Sequence, residues 1–368
     1  MLAHGFLLGV VRAGIGEPVL LRCRADRSAT RLEARRALFF GLLAGVAVGL
    51  GLVIIGALIG GNVGHFLQLM AIAAPLVYAQ DLLRYVAYGS GRVDQAVLID
   101  GIWLGVQVAL SAALLASGEA TPTRLVLAWV AGACVGAVAP IVRRRLWPRP
   151  RAARQWWAQE RARAGGFVAD FLVSNGMWQS AFLLLGVLIS LEELGTLRVA
   201  IVAVSPLANL LAGIRSMTLA HLAGLRARPQ RARRRAVQFA LGLAGAAALY
   251  GIVLVLLPDR VGSELFGDSW ADAAAIVGIV ALAEVIRLPT FPAIDLIKVV
   301  GAPLDLVRTR VTGGIGVVSG LLIGGITAGP RGAAVGTAVG YSWNLLVWWR
   351  KARAVSRRPA WRAEAAPG

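Results

Sequence analysis

Eleven stretches of this chain run for roughly 20 residues with few or no charged side chains, the length that crosses hydrocarbon as a helix. They lie near 1–21, 38–60, 65–88, 95–117, 123–142, 167–190, 196–222, 236–257, 271–293, 309–328 and 332–350. Backbone groups in lipid have no water to bond, so only helices or a closed barrel can span. Barrel strands alternate polar and apolar residues over about ten positions. The run from Ala37 to Gly60 does not alternate, so the expectation is helical. Charged residues make up only 15% of the chain, too few to cover a soluble surface that ordinarily carries about 25%. The expected fold is therefore all-α: a polytopic membrane protein of about eleven transmembrane helices.

The formal charge of +19 would suit nucleic acid if it were gathered in one domain. It is not. Segments 22–36, 84–92, 143–163, 226–235, 287–310 and 350–362 hold 32 of the 38 Lys and Arg residues. The alternate linkers hold Arg124, Arg260 and Arg331, together with Glu119, Glu192, Glu193, Asp259, Glu264 and Asp268. Every arginine-rich linker thus falls on one face, which the positive-inside rule makes cytoplasmic. This gives a multi-pass protein of the inner (cytoplasmic) membrane with its C-terminus inside, membrane lipids as neighbours and no nucleic-acid partner.

Eleven crossings would leave Met1 outside. Either a short neutral N-terminus is translocated or a helix is missing upstream, and an internal repeat favours the second account. Arg35-Arg36-Ala37 recurs as Arg234-Arg235-Ala236, and Asp81-Leu82-Leu83-Arg84 resembles Asp295-Leu296-Ile297-Lys298. Arg12 pairs with Arg215 in the same alignment. Segments one to five then map onto seven to eleven, a parallel repeat. The expected organisation is an N-terminal lobe over 1–142 and a basic cytoplasmic linker over 143–166. A C-terminal lobe over 167–350 and a basic tail over 351–368 follow.

Ionisable groups deep in a membrane helix are costly and usually face a bundle interior or an aqueous cavity. Arg12 lies about 15 Å along its helix from Arg22, too far to reach the inner surface easily. It is either a cavity cation for an anionic head group, with Glu17 nearer the cytoplasmic mouth, or half of an ion pair between helices. Arg215 is either a second head-group cation or a helix-end arginine reaching the surface. Asp170, Asn175, Gln179 and Asn209 line a path or bond across helices. Asp81 with Arg84 and Asp295 with Lys298 read as local salt bridges. Glu284 and Arg287 form a pair or part of an inner gate, and Asp100 faces the cavity. Trp156, Trp157, Trp343, Trp348 and Trp349 fit interfacial anchors.

Cys23 and Cys134 are far apart and form no disulfide framework, and His4, His65 and His221 are too scattered for a metal site. No phosphate-cradling GxxxxGK[ST] pattern occurs, so no ATPase resides in the chain and no cofactor is implied. A membrane glycosyltransferase or polymerase would want a large external loop with catalytic carboxylates. The longest external linker is only about 258–270, so the chain reads as non-enzymatic.

Several stretches resemble the flippases for polysaccharides and lipid-linked oligosaccharides in the multidrug/oligosaccharidyl-lipid/polysaccharide exporter superfamily. They are "RAGIGEPVLLR" (12–22), "QDLLRYVAYGSGRVDQAVLIDGIWLGVQ" (80–107), "LGTLRVAIVAVSPLANLLAGIRSMTLAHLAGL" (194–225) and "LFGDSWADAAAIVGIVAL" (265–282). The resemblance implies two pseudo-repeated six-helix lobes around a central cavity, alternating between inward-open and outward-open states, with the family's first helix expected to be missing from the eleven segments. It also implies that Arg12 binds the substrate's diphosphate and that Glu17 serves as a cytoplasmic gate. The function expected is export of a polyprenyl-diphosphate-linked saccharide for cell-envelope polysaccharide synthesis. Glycosyltransferases or a polymerase of the same pathway are candidate partners. Two alternatives stay open: a small-molecule or drug antiporter of the same superfamily, and a non-transporting scaffold for synthesis enzymes.

Overall fold

The computed structural model describes residues 2–26, 28–267, 269–300 and 303–357, and the side chains of all of these except 2–4, 208–210 and 212. Helices α1 (Leu2–Val11) and α2 (Glu17–Ala25) are joined without a break by a π-helical turn, Arg12–Gly16. Then come α3 (Thr30–Ile59), α4 (Gly61–Gly89), α5 (Val93–Ala116), α6 (Pro122–Arg143) and α7 (Pro150–Leu188). The remaining helices are α8 (Leu191–Ala223), α9 (Pro229–Val255), α10 (Asp259–Phe266), α11 (Trp270–Arg287), α12 (Thr290–Val300) and α13 (Pro303–Val355). Helix α13 breaks at Ala328 and Gly329, where φ swings from −148° to +55°, so it forms two rods.

The eleven apolar segments fall on these helices apart from end residues and the turn at Leu288 and Pro289 between α11 and α12. Among the described residues, eight helical stretches are long and apolar enough, by length and composition, to cross a membrane. Their outer faces are those of membrane helices: Leu58, Val187 and Leu183 are 81%, 84% and 73% exposed, an arrangement that only lipid makes tolerable at such density. The protein is a multi-pass membrane protein. Its connections are shorter than the charge pattern suggests. Residues 150–166, read from sequence as basic linker, are the first turns of α7, because arginine is a good helix former and Pro150 suits the first position.

The chain divides into two compact units, Met1–Val168 and Ala169–Gly368. Within the first, α2 packs on α4, α3 on α4, α4 on α6 and α5 on α6. Within the second, α8 packs on α12, α9 on α11, and both α11 and α12 on α13. The same order of neighbours therefore recurs at the positions that the sequence repeat aligns.

Helices in lipid gain little from burying apolar surface, so close approach through small residues carries the packing. In the first unit Gly41, Gly45, Gly49 and Gly56 face Ala79, Pro75, Ala71 and Gly64 in one antiparallel register; a Cβ on Gly41 would lie 2.6 Å from the Ala79 Cα. In the second unit the two rods of α13 close the same way. Gly316, Gly320 and Gly324 meet Gly340, Gly336 and Gly332, and a Cβ on Gly340 would lie 2.6 Å from the Gly316 carbonyl oxygen.

Two tryptophans depart from the expected interfacial role. Trp156 and Trp348 are wholly buried. Trp156 packs against Phe40 with ring centroids 5.3 Å apart, and Trp348 lies under an arginine. Proximity to a helix end placed them in sequence near the membrane surface, but their side of the helix faces the core. Trp157 and Trp343, about 45% exposed, keep the outward position that anchoring needs.

Candidate functional site

In the first unit the ionisable residues form one chain. The Arg-Ala-Gly-Ile-Gly sequence at 12–16 opens into a π-turn in which the Glu17 N–H donates to the Arg12 carbonyl. Such one-residue expansions are rare and cluster at functional positions. Glycine makes room for this one, since a Cβ on Gly16 would sit 3.0 Å from the Tyr85 ring. The turn aims Arg12 at α4. Its Nε and Nη2 donate to the two carboxylate oxygens of Asp81 at 2.8 and 2.7 Å. Arg84 Nη1 reaches Asp81 at 3.5 Å, and Arg84 Nη2 pairs with Asp100 on α5 at 3.2 Å.

Two arginines thus answer two aspartates. Arg12 takes the ion-pair position that sequence left open beside the cavity reading, and Asp100 is paired as well. Asp81 and Arg84 do contact each other, but each makes its shorter pair elsewhere, Asp81 with Arg12 and Arg84 with Asp100. Glu17 is half-buried at the start of α2.

In the second unit, α7, α8, α11, α12 and α13 enclose a cavity of about 360 Å³. Its polar wall carries two fork-to-fork pairs. Arg287 donates through Nε and Nη2 to both oxygens of Glu284, at 2.8 and 2.6 Å. Arg310 donates to both oxygens of Asp170 at 2.8 and 3.0 Å. Arg310 also stacks 4.7 Å from the Trp348 ring centroid, and Trp348 Nε1 donates to Asn344 Oδ1 at 3.0 Å.

Arg215 differs from these. Among the described residues no ion pair joins it to a carboxylate. Its guanidinium lies 4.7 Å from the centroid of Phe291, a ring that it shares with Arg287 at 5.2 Å. Phe291 lines the cavity, and so does Thr290, whose buried hydroxyl has no hydrogen-bond partner among the described residues. Arg287, Arg310 and Glu284 line this cavity, with Asp170 paired to Arg310 and Arg215 against Phe291, so the three guanidiniums exceed the two carboxylates by one.

Of the residues singled out in sequence, Asn175, Glu284 and Arg287 line this cavity. Asp170 supports it through Arg310, and Arg215 through Phe291. Asn175 also bonds its own helix, donating to the Phe171 carbonyl at 2.9 Å. Gln179 is exposed and does not line the cavity. The Asn209 side chain lies outside the described residues. Sequence reasoning missed Arg310, Thr290, Tyr341 and Asn344. Arg310 was counted among linker charges, although it stands seven residues inside α13, and that position was the available signal.

No protein-family model matches the sequence, and no curated protein matches it. Solved structures do share its fold. A point mutant of the Vibrio cholerae MATE transporter VcmN matches at 13% identity and a TM-score of 0.72, covering 98% of this chain and 89% of that one. A mutant form of another MATE structure matches at 13% identity and a TM-score of 0.76, over 95% and 84%. An outward-facing multidrug resistance MATE family transporter of the MOP superfamily matches at 13% and 0.72, over 96% and 83%. All three carry MATE names, and this chain has the fold of those transporters.

Proposed function

We propose that this protein is a membrane exporter that carries a lipid-linked anionic saccharide across the cytoplasmic membrane by alternating access. One observation carries the choice of substrate. The acids at the cavity, Glu284 and Asp170, are each held by both forks of an arginine, while Arg215 forms no ion pair among the described residues and lies against the Phe291 ring. Such a site offers guanidinium donors to an anion and no open carboxylate to a cation. Guanidinium forks suit phosphate oxygens, and the Trp178 and Phe291 rings beside polar groups suit a sugar.

The fold likeness to a multidrug resistance transporter favours a second reading, a cationic-drug antiporter. That activity would require Glu284 or Asp170 to give up its arginine, leaving a charge alone in a low-dielectric site.

Proteoliposomes loaded with a polyprenyl-diphosphate-linked saccharide, and others loaded with a cationic dye, separate the readings. Arg215→Gln should weaken saccharide-lipid binding about tenfold to a hundredfold, the worth of one charge-assisted hydrogen bond, and Arg215→Lys should lose less. Dye efflux that persists in Arg215→Gln but is lost in Glu284→Gln, with no saccharide-lipid movement in the unsubstituted protein, would replace the first reading by the second.

A further inference from the structure

Where α9 begins, Arg228, Arg231, Arg233 and Arg234 gather with no carboxylate among the described residues to answer them. Arg228 precedes the helix, Pro229 opens it, and Arg231, Arg234 and Gln238 follow at helical spacing. Ser356 and Arg357, at the end of α13, close the other side of a groove of about 1490 Å³. Both walls belong to acid-free stretches of sequence. The chain has no Asp or Glu from Gly224 to Pro258, nor from Leu306 to Ala363. Among the described residues, Arg228, Arg231, Arg233, Arg234 and Arg357 form no ion pair.

A second feature points the same way. Arg228 gives α9 no side-chain cap and Pro229 has no N–H, so the Gln230 and Arg231 N–H groups at the start of this 27-residue helix stay open to an acceptor. Guanidinium forks and open helix amides together describe a phosphate site. The apolar continuation decides the source of the phosphate. Val237 lines the groove, and Leu241, one turn further along α9, is 68% exposed. A phosphate seated among the arginines would have a greasy wall running from it along the helix, which a soluble phosphate does not need and an acyl chain does.

We infer that this groove binds the phosphate head group of an anionic phospholipid, whose acyl chain lies along Val237 and Leu241. The site is separate from the cavity of the proposed function and does not depend on it. It would tie activity to the anionic-lipid content of the leaflet that faces the arginine-rich connectors.

The test is native mass spectrometry of the full chain purified in phosphatidylcholine and titrated with phosphatidylglycerol. The unsubstituted protein should retain the anionic lipid. The triple variant Arg231→Gln, Arg234→Gln, Arg357→Gln should bind it about a hundredfold more weakly, from the usual contribution of each surface arginine. The same positions changed to Lys, which keep the charge on an exposed and tolerant surface, should retain most of the binding. The matched triple Arg149→Gln, Arg151→Gln, Arg154→Gln should stay within about twofold of the parent, because those arginines lie outside the groove. Equal loss from the two glutamine triples would mean diffuse attraction and overturn the site. Inorganic diphosphate that binds as tightly as the lipid, with the same dependence on the three arginines, would overturn the lipid assignment.

Discussion

A guanidinium in hydrocarbon keeps its charge at tolerable cost only if an opposite charge stands beside it, and Asp81 does this for Arg12 through two hydrogen bonds. Removing one partner strands the other. Asp81→Asn should therefore destabilise the protein by about 1–3 kcal/mol. That is less than the 3–5 of a fully buried pair, because 38% of the Arg12 side chain is open. The double variant Arg12→Gln, Asp81→Asn should recover part of the loss, since it leaves no orphan charge between the two. Thermal unfolding in detergent, followed by tryptophan fluorescence, gives the cycle; a double variant no more stable than Asp81→Asn would show that the pair is not coupled. Asp81 also sits 3.5 Å from Arg84, so Arg84 shares in the loss when the carboxylate is removed. At the arginine-rich end the same logic binds Glu33, which is wholly buried and accepts from Arg22 at 3.1 Å and Arg36 at 2.6 Å.

Between helices the deciding quantity is the distance of approach, and glycine sets it. In the two rods of α13, Gly336 stands against the Gly320 carbonyl so closely that a methyl group would overlap it. Gly336→Ala should force the rods apart, lowering stability by about 1–3 kcal/mol and the melting temperature with it. Gly242 on α9 is the matched control. Nothing lies within 4 Å of a Cβ placed there, so Gly242→Ala should leave the melting temperature unchanged or raise it, as loss of glycine favours a helix. Equal melting shifts for the two variants would remove close approach as the cause. The abundance of glycine was plain in sequence, but the register was not. Pairing 320 with 336 requires knowing that the chain turns back at Gly329, whose positive φ makes the turn. Proline was the sharper signal, for Pro122, Pro150, Pro229 and Pro303 each open a helix, and reading them so would have shortened the expected linkers.

For the molecule as a whole, what was legible follows from the range of each interaction. Helical class and charge alternation depend on local composition, and the helices fall where hydrophobicity put them. The ion pairs of each unit depend on distant partners, Arg12 with Asp81 at 69 residues in the first and Arg310 with Asp170 at 140 in the second, and no local pattern announces them. Orientation in the membrane lies between these cases, because it is written in the connectors. Two crossings, α7 and α8, separate the connector at 144–149 from that at 224–228, so both should face the cytoplasm, with 117–121 and 256–258 opposite. Single cysteines report this directly. In a background with Cys23 and Cys134 replaced by Ala, Arg149→Cys and Ala227→Cys should react with a membrane-impermeant maleimide only after the cells are opened. Ser117→Cys and Arg260→Cys should react in spheroplasts left intact. If Arg149 and Ala227 labelled from opposite sides, an odd number of crossings would lie between them. That would break the correspondence between the charge pattern and the helices, and with it the assignment of the arginine groove at Arg231 and Arg234 to the cytoplasmic leaflet.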